Sequence, residues 1–284
     1  MSIHHIEDQG RRGIVDKYTK VFSFMFEVFG MARKNPILLR PMWVNLAIAA
    51  PLNMALAVAY GSIHNHTLQY VLLTGGVVAL YFVDYFCNAL TVSLVYEQVT
   101  NGDAKWDDAV ANTKRSAGGV FIFAAISGVF DLLASYASER DDILGKILTQ
   151  IVHAVWTTAV YAVMPAMVIE GISFGAAFAR SKEIMKQDPT NVGTGVIGLG
   201  IMNYVLGTVC MIVSYQGMAV LSKIHPILGA AFFFTFFNLY WTVSGFVKAS
   251  YFTCFYMWAN ECAKKGSSDV KLAPAPLANA LGYK

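Results

Sequence analysis

Residues 68–95 read LQYVLLTGGVVALYFVDYFCNALTVSLV. The stretch carries a single charge, Asp84, and outruns the roughly 20 apolar residues that take an α-helix across a hydrocarbon core. It is typical of its chain. Of 284 residues, 56% are hydrophobic and 14% charged, against about 25% charged in a soluble domain; mean hydropathy is +0.50. These figures exclude a disordered chain and a disulfide scaffold, and they argue against a soluble enzyme.

Working outward, comparable apolar runs occupy 42–63, 118–137, 143–169, 192–221 and 226–259. With 68–95 they predict six transmembrane helices. Between them lie amphipathic pieces. In 13–34, Phe22, Met25, Phe26 and Phe29 recur at helical spacing and form one apolar face, with Lys17, Lys20, Arg33 and Lys34 around it. Asn35-Pro36 stops this helix. Residues 103–115 and 173–186 predict two more, with Asp103 and Ser173 as caps and Asp188-Pro189 as a stop.

Basic residues set the orientation. Arg11, Arg12, Lys17, Lys20, Arg33, Lys34 and Arg40 precede the first span. Lys105, Lys114, Arg115, Arg180, Lys182, Lys186, Lys264, Lys265, Lys271 and Lys284 fall on the same side, against Arg140, Lys146 and Lys223 on the other. The positive-inside bias places both termini in the cytoplasm of a cell (inner) membrane. The expected fold is all-α: a polytopic membrane protein of six transmembrane helices in three hairpins, with cytoplasmic interfacial amphipathic helices. Residues 1–12 form a polar N-terminal segment, 13–265 one transmembrane domain and 266–284 a flexible tail.

The ends of spans two, four and six share a spacing. Glu97 is followed by Gly102, Glu170 by Gly175 and Glu261 by Gly266, and Phe82-Val83-Asp84 aligns with Phe246-Val247-Lys248. This suggests repeats at 13–102, 103–172 and 173–265, with the glutamates at the inner headgroup level, able to accept from the N-termini of the next interfacial helices.

Charge inside a span costs at least about 2.5 kcal/mol at the helix centre and needs a reason. Asp84 lies mid-span, with Asn88 one turn on, and Lys248 lies at the equivalent depth of span six. An Asp84–Lys248 ion pair, or a water cavity lined by both, is expected. His153 in span four and Asp131 in span three extend the candidate polar path. The structural alternatives are a pair that merely locks two spans and a hydrogen-bonded core histidine.

Other signals point away from chemistry. Cys87, Cys210, Cys254 and Cys262 form no C-x-x-C pair and read as free thiols. His64 and His66 lack further ligands nearby. No nucleophile–base motif or phosphate loop is present, so neither catalysis nor a cofactor is expected. A net charge of +3 without a basic block excludes nucleic acid. Gly193, Gly195, Gly198, Gly200 and Gly207 suit close helix packing. The aromatic run from Phe232 to Trp241 suits lipid or a partner subunit.

The segment Tyr81-Phe82-Val83-Asp84-Tyr85-Phe86-Cys87-Asn88-Ala89-Leu90, together with Leu144-Gly145-Lys146-Ile147, Trp156 to Pro165, Val168-Ile169-Glu170-Gly171 and Arg180-Ser181, resembles an uncharacterised prokaryotic family of six-span membrane proteins known only as a domain of unknown function. The resemblance covers roughly residues 15–210. It implies a fold and a topology and no activity. Two functions are therefore expected to compete. One is a homo-oligomeric transport or pore-type protein for a small solute, ion or lipid. The other is a non-catalytic structural or interaction subunit of a larger membrane assembly. Membrane lipids and either further copies or other membrane proteins are the expected partners.

Overall fold

The computed structural model describes residues 20, 22–138, 162–187, 189–266 and 269–280. Among them there are helices and no strand. They are α1 (22–34), α2 (Arg40–Ser62), α3 (His66–Asn101), α4 (Trp106–Arg115), α5 (Ala117–Ser138), α6 (Val163–Glu170), α7 (Phe174–Gln187), α8 (Pro189–Leu221), α9 (Pro226–Lys265) and α10 (Ala275–Ala280). Four helical stretches are long and apolar enough to cross a membrane: Pro36–Ser62, His66–Asn101, Gly198–Leu221 and Pro226–Lys265. They correspond to expected spans one, two, five and six. Span three falls on α5. Most of span four lies outside the described residues.

Local chemistry sets the boundaries. Asn65 Oδ1 accepts from Leu68 N at 3.2 Å and opens α3, and Gly102 closes it at φ 74°. His225 Nδ1 accepts from Ile227 N at 3.2 Å ahead of Pro226, which opens α9. The hairpin between α2 and α3 is clasped by Gln69, whose Nε2 donates to Tyr60 O and Ile63 O at 3.1 and 2.6 Å. Pro51 interrupts α2 and leaves the carbonyl of Ala47 without its helical partner.

Helices α3 and α9 form the centre. Helix α2 packs on both, α5 and α6 pack on α3, and α8 packs on the outer side of α9. The fully buried core lies at one end, among Cys87–Val95 of α3, Phe246–Trp258 of α9, Val163–Val168 of α6 and the start of α5. The short helices close this end. Helix α1 buries Phe24, Val28 and Ala32, and Phe24 meets Tyr251 edge-on at 5.1 Å. On the expected apolar face Phe22, Met25 and Phe29 are partly buried and Phe26 is 69% exposed; the helix is apolar on two sides, and the second side is the one that meets α9.

Two expectations change. Asp103 does not cap α4: the N-cap is Lys105, and its N–H is taken by Glu97 Oε2 at 3.1 Å. Residues 269–280, read as part of a flexible tail, fold back onto the protein. Leu277 and Ala280 are buried, Trp258 Nε1 donates to Asp269 O at 3.1 Å, and Asn279 Nδ2 donates to Glu27 Oε2 at 3.2 Å. Pro274 and Pro276 start a short apolar helix here instead of keeping the chain extended.

Candidate functional site

Asp84 sits near the midpoint of α3, between the buried end and a half whose apolar side chains are exposed. Two amides hold its carboxylate. Asn45 Nδ2, from α2, donates to Oδ1 at 2.8 Å, and Asn88 Nδ2, one turn along α3, donates to Oδ2 at 3.2 Å. From α9, Lys248 supplies a favourable charge. Three helices thus converge on one carboxyl group.

Gly245 lets them approach. A Cβ there would stand 2.8 Å from Asn88 Oδ1, so a side chain at this position would displace the Asn88 amide. Asn45 is 3% exposed, and its Oδ1 has no hydrogen-bond partner among the described residues. An unmet amide acceptor in an apolar surrounding costs on the order of 1–3 kcal/mol.

The sequence placed Asp84, Asn88 and Lys248 together, and the structure brings them to one seam. Among the described residues no nitrogen–oxygen contact within 4.0 Å joins Lys248 to Asp84; the two interact through their charges across a gap. Asp131 lies on α5 (Ala117–Ser138), and its side chain lies outside what the structure describes. His153 lies outside the described residues.

Asn45 is the residue that sequence reasoning missed. The available signal was an uncharged amide inside an apolar run, and it recurs. Asn53 Nδ2 donates to Asn238 Oδ1 at 2.9 Å between α2 and α9. Asn203 Oδ1 accepts from Ser244 Oγ, and its backbone carbonyl accepts from Tyr240 Oη at 3.1 Å, between α8 and α9. The α2–α3, α2–α9 and α8–α9 contacts each therefore have a polar fastening.

The three repeat glutamates have different partners. Glu97 is buried and accepts from Lys105 N, from Asn112 Nδ2 at 3.3 Å and from Ser93 Oγ at 3.5 Å. Beside it lies a polar cleft of about 430 Å³ lined by Asp103, Asp108 and Arg115 among others. Glu170 accepts from Tyr256 Oη, and Arg180 Nε lies 3.9 Å away. Arg180 Nη2 also donates to Asn260 Oδ1 at 2.8 Å, which ties α7 to α9. Partial burial alone would lower the proton affinity of this guanidinium, but Glu183, Tyr256 and Glu170 outweigh it and hold Arg180 above its ordinary value. Among the described residues Glu261 is paired with Lys264, at 2.7 Å. The left-handed glycines are Gly102, Gly171 and Gly266, so in the second unit the cap follows Glu170 directly and Gly175 lies inside α7.

The four cysteines are free, and no group of three or more metal-ligating side chains occurs among the described residues. The site therefore consists of one carboxylate, a set of amides and a nearby amine. It can exchange a proton or order a small polar species.

No curated protein and no solved structure matches the chain. Residues 67–269 match a family of unknown function, DUF6159. The match begins and ends later than the expected 15–210; it takes in Asp84, Asn88 and Lys248 and leaves Asn45 outside. It covers well over half of the chain, and the chain belongs to this family.

Proposed function

We propose that this protein is a six-span, self-associating membrane protein of transport type, with both termini in the cytoplasm, and that the path for a small solute or ion runs through the seam of Asp84, Asn45, Asn88 and Lys248. The observation that carries the reading is the state of the charges. A purely structural pair locking α3 to α9 would bring the ammonium into contact with the carboxylate, because a desolvated pair repays its cost only through direct contact and full hydrogen bonding. Here the carboxylate is held by amides, Lys248 stands off, and Asn45 Oδ1 is unmet. Polar groups left able to take another partner inside a helix bundle suit passage better than fastening. The exposed apolar face of α8, including Tyr204 at 77% and Ile212 at 55%, is available to lipid or a second copy.

The test is re-swelling of proteoliposomes, followed by light scattering, with potassium chloride, ammonium chloride and glycerol as probes. At least one probe is expected to enter faster than into protein-free vesicles, and Gly245→Leu, which fills the seam, is expected to slow it. If none enters faster and the protein purifies in fixed ratio with another membrane protein, the reading as a structural subunit replaces this one.

A further inference from the structure

We infer that Asp84 is a proton-carrying carboxyl group whose two protonation states are both served by the Asn45 amide. The inference rests on the transport reading above and names the ion. A hydrated ion would have to displace the amides already seated on both carboxylate oxygens, at 2.8 and 3.2 Å. A proton needs no such space.

The geometry fits both states. With Asp84 ionised, Asn45 Nδ2 donates to it and Asn45 Oδ1 is unmet, as observed. When a proton arrives, either an O–H bond of a hydronium breaks and leaves water, or an N–H bond of the Lys248 ammonium breaks and leaves the neutral amine, and a carboxyl O–H bond forms on Asp84. A half-turn of the Asn45 amide about its last side-chain bond then brings Oδ1 to accept that O–H. An amide carries a donor and an acceptor of nearly equal shape, so neither state requires the helices to move. Asn88 continues to donate to the other oxygen.

The groups around Asp84 are consistent with one mobile proton. Lys248 faces it from α9, and Cys87 lies beside it on α3. Arg40 is the charged residue nearest to Asn45 along α2, and α5 contributes Asp131 to its sequence. Release from Asp84 regenerates the carboxylate and returns the Asn45 amide to its observed orientation, so charge and protons balance over a cycle.

The test uses the full-length protein in vesicles that enclose potassium and the pH dye pyranine. Valinomycin makes the interior negative and drives protons inward. Wild-type vesicles are expected to acidify at least tenfold faster than protein-free ones. Asp84→Asn and Asn45→Leu should remove the excess, and Asn53→Leu, which cuts a fastening away from Asp84, should retain it. Dicyclohexylcarbodiimide, which attacks protonated carboxyl groups in apolar surroundings, should label wild-type Asp84, less as pH rises. That readout needs no variant to fold. Acidification undiminished in a folded Asp84→Asn, or no label on Asp84 at any pH, overturns the inference. If the re-swelling probes enter but protons do not, the proton assignment fails and the transport reading stands. If neither enters, both fail.

Discussion

The two halves of α3 obey different rules. From Cys87 to Val95 nearly every side chain is buried by protein, whichever way it points, while from His66 to Gly76 apolar side chains such as Leu68, Tyr70 and Val71 are exposed. Helix α9 divides in the same way, with its buried run beginning near Thr242. Composition does not separate these halves, since both are apolar. Neighbours do. Around the buried half α1, α4, α6, α7 and α10 supply a shell of protein, while among the described residues α2 and α8 lie beside the exposed half. Asp84 and Lys248 lie where one regime gives way to the other.

The comparison is tested most severely by truncating one side chain in each half. Leu94 is 0% exposed and Ile212 is 55% exposed. Leu94→Ala leaves a cavity that surrounding helices cannot fill and is expected to cost ~2–4 kcal/mol. Ile212→Ala exchanges one apolar contact with the surroundings for another and should stay within ~0.5 kcal/mol. Reversible unfolding in mixed micelles checks both. Equal losses would mean that α8 is covered by protein, and the exposed face would then be an interface between copies.

A smaller contrast concerns the glycines of α8. A Cβ at Gly217 would lie 1.9 Å from the Phe232 ring, whereas one at Gly200 meets nothing within 4 Å. Gly217→Ala should force the Phe232–Phe236 stack, with centroids 4.4 Å apart, to shift at a cost of ~1–3 kcal/mol. Gly200→Ala should be neutral or gain up to ~1 kcal/mol of helix propensity. The same unfolding measurement separates them. If both are neutral, α8 does not lie against α9 as closely as the Phe232 contact requires.

Hydropathy made the long helices legible, because length and apolarity are properties of a single segment. Partner choice is not such a property. The buried stripe of α1 could not be separated from its second apolar stripe until α9 presented Tyr251 to Phe24. Asp84 stood out by its charge, while Asn45, Asn53, Asn203 and Asn238 did not, since an amide shifts hydropathy little and shows its role only when a second helix brings a partner. The E-x4-G spacing included Gly102 and Gly266, which the structure shows as left-handed caps, and passed over Gly171, because a sequence interval cannot tell a cap from a helical glycine. The docked tail was hidden by Pro274 and Pro276, which read as breakers locally and serve as helix starters in context.

The smallest expected effect lies within the buried end, between two glutamates that the repeat treats as equivalent. Glu97 accepts from the backbone N–H of Lys105 and so does the work of a cap for α4, which has no side-chain cap of its own. Its charge also faces the positive end of that helix dipole. Glu97→Ala removes one acceptor from a buried donor and should cost ~1 kcal/mol, as loss of an N-cap does. The loss should concentrate in α4, seen as faster hydrogen exchange at its first-turn amides. Among the described residues Glu261 touches Lys264 on an exposed surface; such a pair loses its Coulomb gain to solvent, so Glu261→Ala should leave exchange in α9 unchanged. Equal protection losses at the two sites would show that the repeat is one of function as well as of spacing. Unequal losses would show that these glutamates share a position in the chain and that only Glu97 has been given a helix to hold.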